Sequence, residues 1–342
     1  MLRDVRIVAT GSCVPDERLT NDDLERMVDT NDEWIRTRTG IRERRRLAPD
    51  QPVSDLASQA AKRAMEEAGA APDDIDLIIG ASFTNDLAFP GVACLVQRDI
   101  VAAHAVAFDT NAVCAGYLYA VIQASQFLQT GAYKTALVIA AEGLTRYVDY
   151  TDRNSCILFG DGASAVLLQS AESPKNREDG RHSSDGRPGL IDFDLATDGS
   201  RVNVAFCPRP TAPAKWLKTL SDREEVTPWI WQDGRAMFKA AINGMTESVQ
   251  RILTRQNLRA SDIAALIPHQ ANLRIIEAVG ERVGIPTERV ALCLEEYGNT
   301  SAASMGIALD KWRKQGLVRT GDLLMFTAFA GGLTWGSMLF RA

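Results

Sequence analysis

Cys114 stands in Asp109-Thr-Asn-Ala-Val-Cys-Ala-Gly-Tyr117, between an apolar stretch, Ala105-Val-Ala-Phe108, and a longer run, Leu118–Gln129, that ends at Thr130-Gly131. The first stretch reads as a buried strand and the second as a helix closed by glycine. A thiol at such a junction can be a nucleophile, because the positive end of the helix dipole favours the thiolate. Ala112, Ala115 and Gly116 leave room for a substrate to reach the sulfur. The competing reading is a buried structural cysteine.

A cysteine nucleophile needs partners, and the chain has three histidines, His104, His182 and His269. His104 sits between alanines near the expected end of a helix and reads as structural. His182 lies in a polar, Gly-rich stretch at 172–190, where nothing would fix its ring. His269 follows Ile263-Ala-Ala-Leu-Ile-Pro268, so it ends a buried strand just before a helix, where α/β folds present ligand-facing residues. Asn299 occupies a glycine-bearing turn, Tyr297-Gly-Asn-Thr-Ser-Ala-Ala-Ser304, and Gly331-Gly332 lies between two expected strands. Cys, His and Asn in this order also occur in papain-like hydrolases. The Cys-Gly-Ser/Ala-Cys-Trp surroundings of those enzymes are missing at Cys114.

The wider sequence narrows the class. The 342 residues carry a net charge of −6 and are 46% hydrophobic, which suits a globular protein and gives no global pull toward nucleic acid. No two of the six cysteines have C-x-x-C spacing, so no zinc or thioredoxin-like motif is expected. Met1-Leu-Arg-Asp-Val-Arg-Ile lacks an apolar signal core, and no apolar run is long enough for a membrane span. The expected location is the reducing cytoplasm.

The elements that must position these groups follow from pattern. Val5–Thr10 reads as a strand, and Thr20-Asn-Asp-Asp23 as a capping box opening a helix through Val28. Val53, Leu56, Ala57, Ala60, Ala61, Ala64 and Ala68 form one helical face, stopped by Gly69. Asp76–Ser82 and Ala136–Ala141 read as buried strands, and Pro90 is expected in the first turn of a helix. A polar, Arg-rich stretch around Trp34 suggests either a tryptophan folded over a helix end or a platform for a flat anionic ligand. A helix near 235–256 followed by Ala260–Pro268 repeats the order of the helix at 53–68 and the segment from Ala71. Ile75 and Ile263 are 188 residues apart, and Cys114 and Asn299 are 185 apart. These offsets suggest a duplicated unit whose two strand-to-helix turns meet, with halves at 1–172 and 173–342.

Several motifs in register resemble the β-ketoacyl-acyl carrier protein synthase III family: Val113-Cys-Ala-Gly116, Phe159-Gly-Asp-Gly162, Pro268-His-Gln-Ala-Asn-Leu-Arg274, Gly298-Asn-Thr-Ser-Ala-Ala-Ser304 and Gly331-Gly-Leu-Thr-Trp-Gly-Ser337. The resemblance implies an α/β thiolase-like fold, five αβαβα layers from two similar halves, and a homodimer. It implies a decarboxylating condensation of an acyl-CoA primer with malonyl-acyl carrier protein, the first step of type II fatty acid synthesis. Acyl-CoA is then a substrate, and no cofactor or metal is implied. The alternatives are a starter condensing enzyme or acyltransferase of secondary metabolism and, from another class, a cysteine thioesterase-type hydrolase.

The same resemblance assigns roles. Cys114 becomes the nucleophile, with the N–H groups of Cys114 and Gly331 as oxyanion hole. His269 and Asn299 become donors to the malonyl enolate. Thr30, Trp34, Arg38, Arg153, Gly234 and Asn272 are implied for CoA, with adenine between Trp34 and Arg153. Phe329 and Phe89, the latter from the second subunit, are implied for the acyl pocket. Lys239, Arg274 and Arg282 are implied for docking an acidic carrier protein. Ala330 replaces the first of three glycines usual in this family, Glu281 stands where a basic residue is frequent, and Arg235 follows Gly234 where a smaller residue is common.

Overall fold

Small residues set how closely the first layer packs. Residues 2–171, 186–220 and 227–342 are described by the structure, a computed structural model. Strand β1 (Asp4–Cys13) lies against a helix, Val53–Ala68, through the alanine face that the sequence pattern picks out. A Cβ on Gly11 would come within 2.2 Å of the Ala60 carbonyl oxygen, so only glycine admits the helix at this distance. Gly69 ends that helix in the left-handed conformation at φ 63°.

The short helix after Thr20 has the expected capping box but runs only over Asn21–Glu25, and its last residues turn away before Val28. We number the longer helices α1 (Asp32–Thr39), α2 (Val53–Ala68), α3 (Val92–Asp99), α4 (Gly116–Gln129), α5 (Gly234–Arg255), α6 (Leu273–Val283) and α7 (Ala303–Lys314). Pro90 is not in the first turn of α3. Gly91 is the N-cap, and the Asp109 carboxylate accepts the N–H groups of Val92 and Ala93 at 2.8 and 2.9 Å.

Besides β1, the first sheet contains β2 (Leu77–Ala81), β3 (Val106–Thr110), β4 (Thr135–Glu142) and β5 (Gly162–Ala171), in the order β1-β5-β4-β2-β3. The second contains β6 (Gly189–Thr197), β7 (Ala265–Pro268), β8 (Leu323–Ala330) and β9 (Thr334–Arg341), in the order β6-β9-β8-β7. Beyond β7 a parallel bridge joins Leu266 to Val290, where the first sheet has β3. The parallel and antiparallel pairings also correspond, strand by strand.

Helices α4 and α7 lie between the sheets, α2 covers the first sheet, and α5 with α6 covers the second. This gives five layers in two similar halves, the expected thiolase-like α/β architecture. Three apolar clusters fill the spaces: one between the sheets and one under each outer layer. Because α4 touches both sheets, it is apolar on nearly every side. The expected boundary at 172/173, and His182, lie outside the described residues.

Candidate active site

Two turns of the same shape face each other at the centre. Asn111 accepts the N–H of Val113 through Oδ1 at 3.1 Å, and Asn299 accepts the N–H of Ser301 likewise at 2.9 Å. Val113 and Ser301 both have positive φ, 48° and 47°. For β-branched Val113 this is a strained conformation, held by the surrounding packing. Cys114 follows Val113 in a single turn of 3-10 helix, Val113–Ala115, which packs against β8 just ahead of α4. The structural counterpart of Asn299 is therefore Asn111, 188 residues earlier, and not Cys114. The pairing read at 185 residues is corrected by these matched turns.

The Cys114 thiol is buried deeply enough to push its pKa up to about 12. Desolvation is the largest cause of that rise, and the hydrogen bond from Ser301 works against it. Ser301 Oγ lies 3.4 Å from Cys114 Sγ and 3.3 Å from Glu142 Oε1. Glu142 ends β4, is fully buried, and is raised by desolvation to about 8. Its Oε2 accepts the Thr84 hydroxyl at 2.5 Å and the Thr84 N–H at 3.3 Å.

His269 emerges from β7 with Nδ1 2.8 Å from Ser304 Oγ. That hydroxyl oxygen also accepts the Gln270 N–H at 3.2 Å. With its oxygen so engaged, Ser304 can give its own hydrogen to Nδ1, which leaves the ring hydrogen on Nε2. Burial lowers His269 to about 4, so the imidazole is neutral near pH 7. The backbone of Asn299 is tied at both ends, its N–H to Leu158 and its carbonyl to Gly160. The turn depends on Gly298, at φ 64°, where a Cβ would sit 2.8 Å from the Leu158 oxygen.

Cys114, His269, Asn299, Phe329 and Gly331 line one cavity of about 1070 Å³. Trp34, Arg38, Gly234, Asn272 and Arg274 line it as well. Arg38 and Arg153 stand over the Trp34 ring, at 4.6 and 5.2 Å from its centre. Arg153 also pairs with Asp29, so the indole is both folded against a helix and flanked by cations. Thr30, in the loop before α1, and Arg153 are outside the cavity wall. Asn272 caps α6 and donates Nδ2 to the Arg38 carbonyl at 3.0 Å. Phe89 is 85% exposed and lies outside the cavity of its own chain. Lys239, Arg274 and Arg282 are exposed on the adjoining helices α5 and α6, and Arg282 donates to Asn243. His104 is exposed in the turn after α3.

Residues 108–199 match the family described as 3-oxoacyl-[acyl-carrier-protein] synthase III, and residues 253–342 match its C-terminal part. Beta-ketoacyl-[acyl-carrier-protein] synthase III of Alkalilimnicola ehrlichii is 44% identical over 98% of both chains. The chain belongs to the 3-oxoacyl-[acyl-carrier-protein] synthase III family.

As a synthase III, it is an acyltransferase-type condensing enzyme of the initiating step of fatty acid synthesis. The crystal structure of 3-oxoacyl-[acyl-carrier-protein] synthase III from Aquifex aeolicus superposes with a TM-score of 0.87 at 39% identity, covering 99% of this chain and 100% of that one. The priming β-ketosynthase of the R1128 polyketide pathway has the same TM-score, 0.87, at a lower 30% identity, over 99% and 96% of the two chains. The secondary-metabolism and hydrolase alternatives are not favoured. Among the described residues no cluster of three or more His, Cys, Asp or Glu is placed to hold a metal. No described helix is long and apolar enough to cross a membrane.

Four contributors to this synthase site are not singled out by sequence pattern. Glu142 looks like an ordinary strand end, although a lone acid closing the run Ala136–Ala141 was a signal. Ser301 and Ser304 lie inside the segment Gly298–Ser304, where residue type alone gives them no role. The segment 202–211 with Ile230 and Gln232, which carries none of the motifs of the resemblance, walls the cavity.

Proposed function

We propose that the enzyme condenses an acyl-CoA primer with malonyl-acyl carrier protein, through an acyl group carried on Cys114. The sulfur attacks the primer thioester and CoA leaves. The N–H groups of Cys114 and Gly331 hold the oxyanion. The malonyl thioester then loses CO₂, and the resulting enolate oxygen takes hydrogen bonds from His269 Nε2 and Asn299 Nδ2. The carbon of that enolate displaces Cys114 and yields a 3-ketoacyl-acyl carrier protein.

One observation supports these roles most directly. Asn299 Oδ1 is engaged by the Ser301 N–H and His269 Nδ1 by Ser304, so the atoms left to serve a ligand are both donors. A developing enolate needs donors that carry no charge of their own to lose.

CoA is assigned to the mouth of the cavity, with its adenine between Trp34 and Arg153 and its remainder along Thr30, Arg38, Gly234 and Asn272. Phe329 and the Phe89 of a second copy close the acyl pocket. Lys239, Arg274 and Arg282 attract an acidic carrier protein. A homodimer is supported by β3, an edge strand with Val106 48% exposed, and by the exposed Leu87 and Phe89. The reading keeps halves at 1–172 and 173–342 and a cytoplasmic site of action, the latter in line with six free cysteines.

The test is incubation with acetyl-CoA and malonyl-acyl carrier protein, with mass spectrometry of Cys114. An acyl adduct, CO₂ and a ketoacyl product are expected. Free acid instead would mark a hydrolase, and an O- or N-acyl product an acyltransferase.

A further inference from the structure

The site must remove a proton from Cys114, and the obvious agents are poorly placed. Burial pushes the thiol up to about 12. His269 is lowered to about 4 and has Nδ1 tied to Ser304, so it is a weak base. On the other side of the sulfur stands a buried acid that the condensation as described does not use. Glu142 has no cationic partner among the described residues, although an unpaired buried carboxylate is costly. It is held by hydroxyls and N–H groups: Thr84 through both, Ser82 at 3.4 Å, and Ser301. The Thr84 hydroxyl oxygen accepts the Gly143 N–H at 2.9 Å, so its hydrogen must point to Glu142.

We propose that Glu142 is the base for Cys114, acting through the Ser301 hydroxyl, which bridges the two across the interface between the halves. Cys114 and Glu142 come from the N-terminal half, and Ser301 reaches them from the turn that also carries Asn299. The Sγ–H bond of Cys114 breaks and its proton goes to Ser301 Oγ. The Ser301 hydroxyl proton passes to Glu142 Oε1. The sulfur lone pair forms the bond to the acyl carbon, and the bond from that carbon to the CoA sulfur breaks. The departing CoA sulfur takes a proton back from Ser301, which is resupplied by Glu142. The carboxylate is restored and no proton is gained or lost in acylation. When condensation later expels Cys114 as thiolate, one proton from water restores the thiol. That is the single proton consumed with the loss of CO₂.

The distances of 3.3 and 3.4 Å fit a relay at rest, since catalytic hydrogen bonds are often long before substrate binds. The raised carboxyl suits the role, because a base with a pKa of about 8 is strong enough to matter and still ionises near working pH. The charged and titratable surroundings are few. Cys114 and Tyr147 both feel the Glu142 charge. Asp161, beside the cross-strand partner Gly162, is engaged by Thr145 and the Leu47 N–H.

The inference rests on Cys114 being the acylated residue. The experiment is rapid-quench acylation by acetyl-CoA, read by mass spectrometry across pH, for wild type, Glu142→Gln, Ser301→Ala and the double variant. Wild-type acylation should rise with a midpoint near 8, the Glu142 value. Each single variant should acylate about 10²-fold more slowly, the usual loss when a general base is removed. Glu142→Gln should also lose that midpoint, and the double variant should be no slower than either single one. A midpoint that persists in Glu142→Gln, or additive losses, would overturn the relay while leaving the condensation intact. If the variants fold poorly, a proton inventory on the wild type decides. A bowed dependence of acylation rate on deuterium content marks two protons in flight, and a straight line refutes the relay. Acyl label on a Cys114→Ser protein would instead defeat the condensation reading itself.

Discussion

Asn299 and His269 each have one polar atom committed to a serine, and that division predicts separable steps. Asn299→Ala should still accept an acyl group on Cys114 but release CO₂ from the malonyl thioester about 10²–10³-fold more slowly, as for loss of an oxyanion donor. Intact-protein mass and CO₂ release measure the two steps, and loss of both together would contradict the assignment. His269 is neutral down to about 4, so decarboxylation should show no ionisation near the ordinary 6.5. Its folded value is the depressed one, so its stability contribution is present above 6.5 and lost as pH falls toward 4. The pH profile of decarboxylation, taken with thermal unfolding at each pH, checks both statements. Cys114 and His269 were legible because each follows a short apolar segment, and Asn299 because it stands in a glycine-bearing turn before a run of small residues. Glu142 was not, because its meaning depends on Ser301, 159 residues away in sequence.

At the level of elements, the pattern of small residues was the most readable feature. The alanine face of α2 anticipates its close seat on β1, and Gly11 is where the fit is tightest. Gly11→Val should push the helix off the strand and destabilise the enzyme by about 1–3 kcal/mol, the usual range for overpacking. Urea denaturation measures it, and an unchanged midpoint would refute the contact. The start of α3 was misread because proline is common in first turns, while Asp109, seventeen residues later, supplies the actual cap. The duplication was visible, yet its register was three residues out at the catalytic turns. Apolar runs mark where strands end but carry no record of turn shape. The paired Asx turns and the positive φ at Val113 and Ser301 align the halves at this point, at the same 188-residue offset as Ile75 and Ile263.

The whole molecule places its reactive groups where two half-molecules meet, and the single chain leaves Phe89 85% exposed and β3 at the edge of its sheet. If that edge pairs with a second copy, a charge on it should separate the subunits. Val106→Lys is expected to sediment as a monomer and to lose acylation along with the floor of its acyl pocket. A monomer with full activity would remove Phe89 from the site.

The guanidinium of Arg153 already rests on the indole of Trp34, with Arg38 also over the ring. A purine entering that slot must part the stack, trading one flat cation for a flat base on the same surface. If adenine takes the slot proposed for it, its arrival should change the light that this tryptophan emits before any bond to sulfur is made.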